Sequence, residues 1–90
     1  MKKRQAYFDN ASTTPLDERV LRVMMPYLTD DYGNPSNLYE TGRCAKKAIA
    51  RASGQIAAVL HCRPDEIIFT GSATEADNLA ILGAAPWQIR

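Results

Sequence analysis

Residues 66–81, EIIFTGSATEADNLAI, hold the one convincing strand signal in this chain, and that single signal limits what the chain can become. Ile67, Ile68 and Phe69 form a short apolar run of the kind expected of a buried strand. A strand buried on both faces needs neighbours, and one strand cannot make a sheet. The pattern is that of an α/β domain with an incomplete sheet. The residues after the strand are equally informative. Gly71 is placed to permit a sharp reversal, and Ser72 with Glu75 fits the S-x-x-E capping box. That box makes Ala73, Thr74 and Glu75 the first three residues of a helix.

A helix start presents unpaired backbone N–H groups and the positive end of the macrodipole. The N–H groups of Ala73 and Thr74, with the Thr74 hydroxyl beside them, would therefore suit a phosphate. The plainer reading is an ordinary capped helix, which taken locally is the commoner outcome. Glu75 weighs on that side, because a carboxylate in the first turn already uses the dipole. The segment is not a P-loop: no Lys follows the turn and the glycine spacing is wrong.

Upstream, Ala6, Tyr7 and Phe8 form a short extended run ending at Asp9-Asn10. Thr14 reads as a helix N-cap, with Pro15 at the first helical position and Asp17 at the third. Leu16, Val20, Val23, Met24 and Tyr27 then share one apolar face of a helix that ends at Tyr27 or Leu28. Residues 29–37 are a loop, with Gly33-Asn34-Pro35-Ser36 its tightest turn. A longer helix is expected from Asn37 or Leu38 to Leu60, burying Ala45, Ala48, Ile49, Ala52, Ile56, Val59 and Leu60. Arg43, Lys46, Lys47 and Arg51 fall mostly on other faces, as a solvated surface rather than a binding patch. Pro64 stops that helix, and the third helix is expected to reach Gly83.

Composition excludes several classes. Ninety residues allow one domain at most, and a domain of that size buries only ~60% of its unfolded surface. Eleven basic against ten acidic residues give a net charge of +1, which supports neither nucleic acid nor a membrane surface as partner. MKKR at the start precedes no apolar stretch, so no secretory signal is read, no segment has spanning length, and a cytoplasmic protein is expected. Cys44 and Cys62 form no CxxC, and packing rather than reactive chemistry or a disulfide is expected of them. His61 beside Cys62 lacks the further ligands a metal needs and reads as a helix-end residue.

Three blocks, in order, carry a resemblance: YFDNASTTPLDERV, YGNPSNLYETGRCAKKAIARA and EIIFTGSATEADNLAI. Together they resemble the N-terminal segment of the cysteine desulfurases, the NifS/IscS-type group of class V aminotransferase-like enzymes, over residues 7–83. The resemblance implies the start of the large domain of a fold-type I transferase dependent on pyridoxal 5′-phosphate. Residues 1–14 would be an extended arm, 15–83 the start of that domain and 84–90 a divergent tail. In the family the turn matching residues 69–78 cups the cofactor phosphate, so Ala73 and Thr74 are the positions carried over as cofactor contacts. This agrees with the reading of the helix start. The Asp9-Asn10-Ala11 block would lie near the active-site mouth, with Asn10 and Ala11 approaching substrate; a turn and helix cap is the plainer reading.

Several features depart from the family pattern. The turn reads Gly71-Ser72 where the family has Ser then Gly, and Tyr39 stands where a His is common. The family's cofactor lysine, its persulfide-carrying loop cysteine and the aspartate at the pyridinium nitrogen all lie beyond position 90, so no catalytic residue is assigned. The expectation is an N-terminal fragment of a desulfurase, inactive alone. The parent would convert L-cysteine to L-alanine as a homodimer and pass sulfur to an acceptor protein for iron–sulfur clusters or thiolated tRNA. The alternatives are a non-catalytic module that binds a full-length desulfurase or sulfur-transfer partner, and a stand-alone small α/β domain.

Overall fold

Three α-helices and one 3₁₀ turn account for the regular structure in the computed structural model, which describes residues 2–88. They are α1 over Glu18–Thr29, α2 over Glu40–Leu60, the 3₁₀ turn over Pro64–Glu66 and α3 over Ala73–Gln88. The chain divides into two units, with the boundary between Lys46 and Lys47.

In the first unit, α1 begins at Glu18, three residues later than the Thr14–Pro15 signal predicts. The reason is Asp17. Its Oδ1 accepts the Arg19 backbone N–H at 2.8 Å, and its carbonyl accepts the Leu21 N–H at 3.0 Å. Asp17 is thus the N-cap, not a third-position carboxylate. The Arg19 guanidinium closes onto the same carboxylate at 2.7 and 3.0 Å, a two-point clamp. The Arg19 side chain first, then its backbone N–H, hold the Asp17 carboxyl below its ordinary value. Helix α1 continues through Pro26 to Thr29, and the Pro26 carbonyl accepts from both Asp30 and Asp31 at 2.8 Å.

The loop after α1 is tied to itself and to α2. Asn34 Oδ1 accepts from Ser36 N–H at 2.9 Å, and the Asn34 carbonyl accepts from Asn37 N–H at 3.0 Å. Two glycines allow this loop to lie against the first turn of α2. A Cβ on Gly33 would meet the Thr41 carbonyl oxygen at 2.5 Å. A Cβ on Gly42 would collide with the Asn37 carbonyl oxygen and lie 2.6 Å from that of Asn34. Gly42 is accordingly buried. The nearest atoms such a Cβ would meet are backbone, so no side-chain movement relieves the clash.

In the second unit, α2 ends in a Schellman motif. The Cys62 N–H donates back to the Ala57 carbonyl at 3.0 Å, and His61 takes the left-handed position at φ 55°. His61 is indeed a helix-end residue, but through its backbone. The 3₁₀ turn comes next, with Glu66 Oε2 accepting from Arg63 N–H at 2.7 Å.

The expected strand is where structure and sequence reading part. Ile67 keeps extended dihedrals (φ −93°, ψ 124°), yet no strand is formed among the described residues. A strand exists through its ladder, and no second strand is present to complete one among those residues. The incomplete sheet is therefore not seen, and the fold on view is helical. The buried stripe expected on α2 also opens: Ala45, Ala48 and Ala52 are half-buried, whereas Ile49, Ile56, Val59 and Leu60 are exposed. Among the described residues the buried apolar side chain is Ala57. Helix α3 runs past Gly83 to Gln88, further than expected. Trp87, a large apolar residue with no evident partner in the sequence, has its side chain outside the described residues.

Candidate phosphate-binding turn

The turn that opens α3 is built by its own side chains. Ser72 is the N-cap: its Oγ accepts the Glu75 N–H at 3.1 Å, and its carbonyl accepts the Ala76 N–H at 3.1 Å. Ala73, Thr74 and Glu75 are the first three helical residues, as the capping box predicts. The reciprocal bond is displaced by one residue. Glu75 Oε2 accepts from Gly71 N–H at 2.9 Å, where a standard box would use the N–H of the cap itself.

That displacement decides which backbone donors of the turn are taken. The Glu75 carboxylate does sit at the positive end of α3, but it takes the N–H of Gly71 and not those of Ala73 or Thr74. Ser72 takes the N–H of Glu75. Ala73 and Thr74 are exposed, and their N–H groups make no hydrogen bond among the described residues. Two backbone donors and one hydroxyl thus stand in a single turn at a helix N-terminus, a donor set that fits a phosphate.

Gly71 does not act as the sequence suggests. No glycine among the described residues has a positive φ, and a Cβ on Gly71 would meet only Glu75 Oε2 at 3.3 Å. The reversal rests on hydrogen bonds rather than on a missing side chain. Two further residues support the turn. Thr70 Oγ1 donates to the Ser72 carbonyl at 3.0 Å, and Asn78 Nδ2 donates to the Thr74 carbonyl at 2.8 Å. A Thr two residues before a Ser cap, and an Asn four after Thr74, are the signals that point to them.

Asn10 and Ala11 belong to the first unit, Ala73 and Thr74 to the second. Asn10 and Ala11 are the central residues of a turn closed by Ser12 N–H donating to the Asp9 carbonyl at 3.0 Å. Cys44 is exposed and Cys62 half-buried, both as free thiols. No cluster of three or more His, Cys, Asp or Glu side chains able to hold a metal occurs among the described residues. No helix there is long and apolar enough to cross a membrane.

The aminotransferase class-V family model matches residues 6–90. Over 84 residues the chain is 51% identical to the cysteine desulfurase IscS of Neisseria gonorrhoeae, covering 92% of this chain and 21% of that protein. Over 79 residues it is 49% identical to the putative cysteine desulfurase IscS 1 of Bacillus subtilis and 46% identical to the cysteine desulfurase IscS 1 of Archaeoglobus fulgidus. Each of those two alignments covers 88% of this chain and 21% of the relative. No solved structure matches. The chain spans about one fifth of the length of these relatives. With the family model covering nearly all of the described residues, the chain belongs to the class-V aminotransferases, the fold-type I enzymes dependent on pyridoxal 5′-phosphate, and is similar to a segment of the cysteine desulfurases.

Proposed function

We propose that this chain supplies the N-terminal segment of a cysteine desulfurase, in which the turn opening α3 holds the phosphate of pyridoxal 5′-phosphate. The observation that carries the reading is the pair of unengaged N–H groups on Ala73 and Thr74, with Ser72 and Glu75 occupied elsewhere. In this reading Ala73 and Thr74 donate N–H bonds to phosphate oxygens, and the Thr74 hydroxyl adds a third. Gly71, Ser72 and Glu75 keep the turn in shape. When bound, the cofactor supplies the electron sink for chemistry at the amino acid's α-carbon. Residues 1–14 form the arm and 15–83 begin the large domain, with 84–90 as a divergent tail. The activity proposed for the whole protein is conversion of L-cysteine to L-alanine, with sulfur passed as a persulfide to an acceptor protein. A cytoplasmic homodimer is the form proposed for it. The relatives carry the matching segment within one longer chain, which favours a desulfurase segment over a separate partner-binding module.

An exchange of segments tests this. The matching stretch of the Neisseria gonorrhoeae enzyme is replaced by that of the present chain. Cofactor uptake is then followed by absorbance, and sulfide release from L-cysteine is measured with a thiol reductant. The chimaera is expected to take up cofactor and turn over. Thr74→Val in that background is expected to weaken cofactor affinity about tenfold or more, the effect of one charge-assisted hydrogen bond. A folded chimaera that excludes the cofactor, or a Thr74→Val variant of unchanged affinity, would overturn the assignment. The ninety-residue chain alone, given cofactor, is expected to release no sulfide.

A further inference from the structure

We draw no further inference here: the strongest candidate, the exposed apolar face of α1 carrying Val20, Val23 and Met24, carries nothing because nothing in the structure shows what covers it.

Discussion

Ser72 and Glu75 divide the work of the α3 turn so that its two foremost N–H groups stay available. Ser72→Ala removes the acceptor for the Glu75 N–H and is expected to cost the helix start about 1 kcal/mol. The check is the Cα chemical shifts of residues 73–76, which should move toward coil values; unchanged shifts would show that Ser72 Oγ does not cap α3. Asp17 offers a second test at this scale. Its carboxyl is held below its ordinary value by Arg19, so the clamp contributes fully above the ordinary carboxylate range near pH ~4. The contribution is lost as the pH falls through the lowered folded value. Followed by the Arg19 amide shift, the titration is expected to have a midpoint below that of an unpaired Asp. A midpoint at or above the ordinary value would rule out the clamp. Asp17→Asn keeps a good cap and should flatten the acid limb.

Within α2, Gly54 is an interior glycine with nothing within 4 Å of where a Cβ would stand. Gly54→Ala is therefore expected to strengthen the helix by about 1 kcal/mol, seen as greater helicity by far-UV circular dichroism. The helix end behaves oppositely. His61 occupies a left-handed backbone position, so a β-branched residue there would cost about 1–2 kcal/mol, whereas Gly would fit without strain. His61→Val should fray residues 57–62 in hydrogen exchange and His61→Gly should not; equal protection in the two variants would contradict the Schellman end. Helix α1 shows the limit of sequence signals. Thr14-Pro15 and Asp17 are both competent openings, separated by three residues, and the clamp from Arg19 favours the later one. Competing caps close together are resolved by side-chain partners that a periodicity count does not weigh.

For the whole molecule the governing fact is apolar exposure. Phe8, Leu38 and Val59 are 94%, 89% and 77% exposed, and Ala57 is the buried apolar side chain among the described residues. Apolar burial of this extent gives little to set against the conformational entropy of ordering ninety residues. The isolated chain is expected to melt without a sharp transition, to bind an apolar dye such as ANS, and to self-associate. A monodisperse monomer with a cooperative melt would refute this and favour a stand-alone domain.

The helices, the turn at residues 33–37 and the cap at Ser72 were legible in the sequence because each is a local event. Capping atoms lie within four residues of the N–H groups they satisfy, and helical periodicity is carried by the segment itself. Ala73 and Thr74 are legible as phosphate candidates for the same reason. What needed the tertiary structure was everything that depends on a distant partner. The run Ile67-Ile68-Phe69 has strand composition, and Ile67 has strand dihedrals, but a strand is completed only by hydrogen bonds to another strand. Ile49, Ile56, Val59 and Leu60 have the spacing of a buried face, but burial belongs to the surface packed against it, and these four residues lie open. Local hydrogen bonds could be read from ninety residues; the ladder and the core, which pair residues far apart in sequence, could be decided only in three dimensions.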